Sequence, residues 1–423
     1  MSTSQSPSIE KVCVVGLGYI GLPTAAFIAD SGISVLGVDI NQEYVDKINR
    51  GEVPFFEPGF ETMLRSVVKQ RKLKADTVPH PADAFVVAVP TPFNPDHSVN
   101  MSYIEAAAKS IAPSLAEGVL VVLESTSPPG TTERMADLLL EERPDLRANN
   151  DEEPKLLVAH CPERVLPGQI MDEMATNDRV IGGLNTRSTQ RARELYSSFC
   201  NGNMLLTDAT TAEMSKLAEN AFRDVNIAYA NELSIICDRL GIDVWELIDL
   251  ANHHPRVNIL NPGPGVGGHC IAVDPWFIIS SAPEQAKLIK TAREVNDSKP
   301  RVVMDKISGA ISANDANTIA TMGIAFKPDI DDLRESPALQ IVEEMAKKWP
   351  EKQILVAEPN IENLPTPLSR YQNVALVGSE AALSQAEVAV LLVDHTPFKK
   401  LNRKLLEGKT VIDTRGAWGS QQK

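Results

Sequence analysis

The stretch from Val12 to Asp39 limits the fold more than any other part of the chain. An apolar run, VCVVG, leads without a spacer into GLGYIG. A segment of helical periodicity follows, and then SVLGVD, which ends on an acid. Strand, glycine turn, helix and strand in that order form a right-handed βαβ unit and therefore a parallel sheet. Gly16, Gly18 and Gly21 stand in G-x-G-x-x-G spacing, with Tyr19 and Ile20 in the same turn. Such glycines allow a tight turn and let a pyrophosphate approach the backbone at the N-terminus of the helix. Asp39 would accept hydrogen bonds from ribose hydroxyls and repel a 2′-phosphate, which favours NAD over NADP.

The alternation continues through AFVVAVP (84–90), VLVVLES (119–125), KLLVAH (155–160), RVIGG (179–183) and NMLLTD (203–208). No Gly or Pro then interrupts residues 209–240. One helix of about 45 Å is predicted there, stopped at Gly241. Helical patterns run on to about residue 312. Strands return in TIATMGIAF (318–326), QILVAEP (353–359), NVALVG (373–378), EVAVLLVDH (387–395) and TVIDTRG (410–416). The chain therefore reads α/β over 1–207, helical over 208–314 and α/β over 315–423. The outer sheets are no obvious repeat, because the second carries no glycine fingerprint.

A length of 423 residues suits two or three domains. The net charge of −15 argues against nucleic acid as a partner. No run of about 18 apolar residues predicts a membrane span. The opening MSTSQSPSIEK lacks the regions of a signal peptide and reads as a short disordered tail. The five cysteines include no CxxC and no zinc spacing. A reduced, cytoplasmic protein without a metal is expected.

On the long helix Lys216, Asn220 and Arg223 share one face. A solvated polar face is the ordinary reading of such a stripe. Against it stand the apolar residues around the rest of the helix (Met214, Leu217, Ala221, Ile227, Leu233), which predict packing on several sides. Thr91 in VPTP and Thr126 in ESTSPPG fall at carboxyl ends of strands, where doubly wound sheets bind ligands; both are also ordinary turn residues. The loop AHCPERVLPG offers Glu163 and Arg164, NHHPRVNIL offers His254 and Arg256, and FKPDIDDLRESP offers Lys327 and Arg334. Basic residues gathered in loops of an acidic chain suit a pyrophosphate-bearing substrate. The adjacent His253 and His254 make a poor metal pair. GPGVGGHCIAVDP (263–275) places Cys270 in the most glycine-dense loop of the chain. Its glycines would leave room for a substrate against the backbone. His269 is left out as a base, since adjacent side chains diverge.

Taken in order, GLGYIG, ESTSPPGTTE, CPERVLPG, AEMSKLAENAFRDVNIAYANE, GPGVGGHC and FKPDIDDLRESP resemble the nucleotide-sugar 6-dehydrogenases, the family of UDP-glucose, GDP-mannose and UDP-N-acetylhexosamine dehydrogenases. CPERVLPGQ, RDVNIA, ANHHPRVNIL and PGPGVGGHCIAVDPWFI look most like the branch that acts on UDP-N-acetyl-D-mannosamine, with the UDP-N-acetylglucosamine enzymes as close neighbours. The resemblance implies two Rossmann-like doubly wound domains joined by a long central helix and an all-helical middle domain, and a homodimer through that helix. It implies oxidation of the sugar's C6 alcohol to a carboxylate with two NAD and one water, for surface polysaccharide biosynthesis. Cys270 would carry a thiohemiacetal and then a thioester. Lys216 would assist proton transfer and stabilise an oxyanion beside Asn220. Asp274 would activate water and hold Lys216, and Glu163 would be the acid–base partner in hydrolysis. Thr126 would lie near cofactor and water, and Thr91 near the cofactor. Arg164, Val165, Arg223, His254, Arg256, Gly263, Phe326 and Lys327, with Lys216 and Asn220, would line the UDP-sugar site. Arg334 would stand at the cofactor's edge and Arg415 at the substrate's.

Overall fold

The computed structural model describes residues 8–55, 57–148, 153–166, 168–268 and 270–419. The start of the predicted tail (1–7) and His269 lie outside the described residues. The chain divides into two compact units, Met1–Glu219 and Asn220–Lys423.

The first unit is built on eight strands. They are β1 (Lys11–Val15), β2 (Ser34–Val38), β3 (Leu73–Asp76), β4 (Ala84–Val87), β5 (Val119–Leu123), β6 (Leu156–His160), β7 (Arg179–Gly183) and β8 (Met204–Asp208). Their order in the sheet is β3-β2-β1-β4-β5-β6-β7-β8. All neighbours are parallel except β6 and β7. The order reverses between β1 and β4, and this is where such sheets bind ligands, beyond their carboxyl ends. Successive residues of β1 point to opposite faces. Val12 and Val14 join one apolar layer, and Cys13 and Val15 the other. A sheet covered on both faces needs strands that are apolar throughout, which is why the runs were legible.

The second unit holds β9 (Thr318–Met322), β10 (Gln353–Ala357), β11 (Val374–Leu376), β12 (Val388–Leu391) and β13 (Thr410–Asp413) in the order β11-β10-β9-β12-β13, all parallel. That is the order of the first five strands of the other unit. The likeness extends to the turn. After β1, Gly16 takes φ +91°, and its N–H donates to Val38 O at 2.8 Å. After β9, Gly323 takes φ +89°, and its N–H donates to Ala357 O at 2.8 Å. The next residue, Leu17 or Ile324, donates its N–H to the acid that follows the second strand, Asp39 or Glu358, at 2.9 Å in each case. The outer sheets thus share one turn design, although the second lacks the full fingerprint.

The long helix spans Ala209–Leu240, as read from the sequence. Asp208 caps it, accepting from Thr211 N at 2.8 Å and Thr211 Oγ1 at 2.7 Å. Gly241 ends it at φ +70°. The helix is not packed on all its apolar sides. Met214, Phe222, Tyr229, Ile236 and Leu240 are exposed, Phe222 at 72% and Leu240 at 64%. Helices Val244–Asn252, Asp274–Ser281 and Lys287–Asn314 follow.

Candidate active site

The glycine turn fits a dinucleotide. A Cβ on Gly16 would lie 2.5 Å from Ala88 O, and one on Gly21 would lie 1.9 Å from Gly16 O. Both positions are closed by the protein itself. A Cβ on Gly18 would meet nothing within 4 Å, so this glycine faces the space a ligand would enter. Helix Gly21–Asp30 begins there, and its first N–H groups suit a pyrophosphate. Asp39 accepts from Leu17 N and Asn41 N, each at 2.9 Å, which fixes its carboxylate at the end of β2. Tyr19 stacks on Phe55 with ring centres 4.3 Å apart. Thr91 Oγ1 donates to Thr126 O at 2.7 Å, joining the segments that follow β4 and β5, next to the switch point.

The loop after β6 is held by buried charge. Glu163 accepts from Arg179 Nη1 at 2.8 Å, and from the N–H groups of Arg164 and Val165 at 2.6 and 3.0 Å. Arg179 also lies 3.9 Å from Glu124 and covers the ring of Tyr196. Burial, with Glu163 nearby, pushes the Glu124 carboxyl up to about 8, against the pull of Arg179. Arg164 itself pairs with Glu219 at 2.7 Å. Neither Arg179 nor Glu124 stands out in the sequence, because a lone Arg or Glu at a strand's end ordinarily marks the surface. Glu163 fixes the backbone of Arg164 and Val165 in the loop after β6.

In the second unit Asn220 Nδ2 donates to Asp274 Oδ2 at 2.5 Å. Asp274 is buried at the start of helix Asp274–Ser281, and its N–H bonds Cys270 O at 2.8 Å. One turn therefore carries Cys270 and Asp274 together. Cys270 is exposed, whereas Cys13, Cys161, Cys200 and Cys237 are buried. Burial pushes the Cys13 and Cys161 thiols up to about 12, so they stay protonated and inert. Arg223, His254 and Arg256 are exposed, and Lys216 is half-buried. The stripe read on the long helix thus divides: Asn220 is bound to Asp274 while Arg223 faces outward.

The loop glycines allow close packing within the protein itself. A Cβ on Gly267 would strike Glu335 O at 2.3 Å, one on Gly268 the Phe326 ring at 2.8 Å, and one on Gly265 Pro337 at 2.9 Å. A Cβ on Gly263 would meet the Arg415 guanidinium at 2.5 Å. The glycines let residues 263–268 pack against residues 326–337, with Arg415 against Gly263. Arg415 Nε bonds Asp394 at 2.9 Å, and Arg334 forms a two-pronged pair with Asp332. Among the described residues no cluster of His, Cys, Asp and Glu could hold a metal ion, and no helix is long and apolar enough to cross a membrane.

These features agree with comparison to known proteins. Residues 10–200 match the NAD binding domain of the UDP-glucose/GDP-mannose dehydrogenase family, residues 210–298 its central domain and residues 320–420 its UDP binding domain. The chain belongs to the UDP-glucose/GDP-mannose dehydrogenase family. It is an NAD-dependent nucleotide-sugar dehydrogenase, as the motif order implied. It is 57% identical over 392 residues to the UDP-N-acetyl-D-mannosamine dehydrogenase of Campylobacter jejuni, covering 92% of this chain and 96% of that one. It is 55% identical over 415 residues to the NDP-N-acetyl-D-galactosaminuronic acid dehydrogenase of Ralstonia nicotianae, covering 98% and 97%. The solved UDP-D-ManNAc dehydrogenase of Pyrococcus horikoshii superposes with a TM-score of 0.86 at 39% identity, covering 96% of both chains.

Proposed function

We propose that this family member oxidises UDP-N-acetyl-D-mannosamine at C6 to UDP-N-acetyl-D-mannosaminuronate, in the cytoplasm, for surface polysaccharide assembly. The observation that carries the chemistry is the turn joining exposed Cys270 to buried Asp274, with Asn220 bonded to Asp274 at 2.5 Å. The sugar is supported by the relative at 57% identity. In this reading residues 1–207 bind NAD, 208–314 carry Lys216 and Cys270, and 315–423 hold the UDP moiety.

NAD, bound by Gly16, Gly18, Tyr19, Ile20, Gly21, Asp39, Thr91 and Thr126 with Arg334 at the edge, supplies a hydride acceptor, used twice per sugar. Lys216 and Asn220 steady the oxygen of C6 as its proton leaves to solvent and a C6 hydride leaves to the acceptor, which gives the aldehyde. Cys270 Sγ then attacks the aldehyde carbon. An S–C bond forms, and the thiol proton passes to the former carbonyl oxygen. Loss of the remaining hydride and the hydroxyl proton leaves a thioester on Cys270. Water, oriented by Asp274, adds to the thioester carbonyl. The C–S bond breaks, the thiol is restored and the carboxylate leaves. Glu163 is the acid–base partner in that hydrolysis, and it also holds the backbone of Arg164 and Val165. The residues assigned to the nucleotide sugar are Arg164 and Val165 in the first unit, and Arg223, His254, Arg256, Gly263, Phe326, Lys327 and Arg415 in the second.

Homodimerisation belongs to the same reading. Phe222, Tyr229 and Ile236 are exposed at seven-residue spacing on the long helix, with Leu240 continuing the stripe. That is the spacing of a helix seam.

The test is a panel of UDP-ManNAc, UDP-GlcNAc, UDP-GalNAc and UDP-glucose, with NADH counted per sugar. We expect UDP-ManNAc to turn over fastest and to give two NADH. One NADH per sugar, or full turnover by Cys270→Ala, would sink the thioester route. Faster turnover of UDP-GalNAc would favour the reading named by the 55% relative.

A further inference from the structure

A buried polar chain, used by no step above, joins the long helix and helix Lys287–Asn314 to both ends of the cysteine loop. Gly263 N donates to Asn231 Oδ1 at 2.9 Å. Asn231 Nδ2 donates to Asn296 Oδ1 at 2.8 Å. Asn296 Nδ2 donates to Asp224 Oδ1 at 2.8 Å and to Asp224 O at 3.0 Å. The same Asp224 oxygen accepts from Arg293 Nη1, which also reaches Ile271 O at 3.4 Å. Arg293 Nη2 runs outward to Asp297 at 2.6 Å. Hydrogen bonds thus run without a break from Gly263 to Ile271, the residue after Cys270.

The arrangement is costly for a merely structural device. Arg293, Asp224, Asn231 and Asn296 are each at most 1% exposed. A buried ion pair often stabilises a fold less than apolar residues of the same volume. Here it is also incompletely satisfied: Asp224 Oδ2 and Arg293 Nε are buried without a partner. Yet the order of donors is consistent throughout. Each amide passes its N–H toward Asp224, so the bonds polarise one another. A loop with four glycines within residues 263–268 has more backbone freedom to lose than any other in the chain. Fixing a thiol on it requires anchors from rigid elements, and Asn231 and Arg293 supply them from two helices.

We infer that Asn231, Asn296, Asp224 and Arg293 are positioning residues that hold the Cys270 loop in register for the aldehyde-oxidising half of the reaction. The inference rests on the thioester reading. It separates the two half-reactions, because removal of the first hydride does not involve the thiol, whereas attack on the aldehyde does. A displacement of about 1 Å at a reacting atom can cost about 100-fold in rate.

The experiment uses the full chain with Asn231→Ala and Asn296→Ala. Both remove one link and leave the charges of Asp224 and Arg293 in place. Single-turnover NADH yield, trapping of the 6-aldehyde with semicarbazide, alkylation of Cys270 by iodoacetamide, KM for NAD and thermal midpoint are measured together. The expected result is a yield falling from two NADH toward one, with aldehyde trapped. The Cys270 alkylation rate should change by about threefold or more, and KM for NAD should stay within about twofold. A lower midpoint with NADH yield and Cys270 alkylation unchanged would assign the chain to stability alone and overturn the inference. If Asn231→Ala does not fold, Asn231→Asp keeps the acceptor for Gly263 but loses the donor to Asn296, and the same outcomes decide. Failure of the thioester reading looks different, since the wild-type enzyme would then give one NADH, or Cys270→Ala would give two.

Discussion

Gly18 and Gly21 stand three residues apart in one turn, and the structure assigns them opposite sensitivities. An added methyl at Gly18 meets nothing within 4 Å. Gly18→Ala should therefore leave the apo protein within about 0.5 kcal/mol of wild type. The cost falls on the ligand. The methyl occupies the path by which a pyrophosphate reaches the N-terminus of helix Gly21–Asp30. Losing one charge-assisted hydrogen bond costs about 1.5–3 kcal/mol, which weakens NAD binding by about 10- to 100-fold. At Gly21 the methyl would sit 1.9 Å from Gly16 O and 3.1 Å from Ala88 Cβ, both fixed parts of the fold. Backbone must move, and overpacking of this kind costs about 1–3 kcal/mol. For a unit of this size that lowers the first melting transition by about 2–10 °C. Scanning fluorimetry with and without NAD, together with NADH fluorescence titration, separates the two effects. Should Gly18→Ala melt as early as Gly21→Ala, or bind NADH like wild type, the assignment of Gly18 to the ligand side is wrong.

The buried Glu124 gives a pH prediction. Its folded-state pKa, raised to about 8 from 4.5, means that the folded state holds the proton more tightly than the unfolded state. The stabilising contribution is full below about 4.5 and is lost as pH rises through about 8. Glu124→Gln removes that loss, so the melting gap between the variant and wild type should widen between about pH 5 and pH 8.5. A flat gap would mean that Arg179 keeps Glu124 ionised throughout. On the long helix, Tyr229→Glu or Ile236→Glu should convert a sedimenting dimer into a monomer. Unchanged sedimentation would place the dimer contact elsewhere or nowhere.

Elements that bury apolar surface on both faces were legible in the sequence, because burial leaves a continuous apolar run. The two sheets were visible in this way, and the long helix by its run free of Gly and Pro up to the stop at Gly241; its Asp208 cap was not read. Nor was β3. As an edge strand it places Lys74 and Asp76 among only four residues, which removes the run. The shared turn of the second sheet was hidden because it keeps one glycine, Gly323, and uses Glu358 where the motif expects Asp. The packing role of the cysteine-loop glycines was hidden for another reason. Their neighbours, Phe326, Glu335 and Pro337, lie about sixty or more positions along the chain, and close packing over that separation leaves no local mark. Arg179 and Arg293 share that difficulty, since a buried charge is spelled like a surface one.

The paired turns carry a consequence for how enzymes of this architecture diverge. In the first turn GLGYIG is followed at once by a helix, so its ligand is met by main-chain N–H groups. In the second turn GIAFKP stands in the same register, with Ala325 where Gly18 leaves open space. Between Gly323 and Pro337 no helix begins. What the second turn offers a ligand is therefore side chains, Phe326 and Lys327 first among them. A site made of main chain changes only when the fold changes. A site made of side chains changes with a single codon, so the nucleotide-sugar end of such an enzyme is free to drift while its dinucleotide end stays fixed.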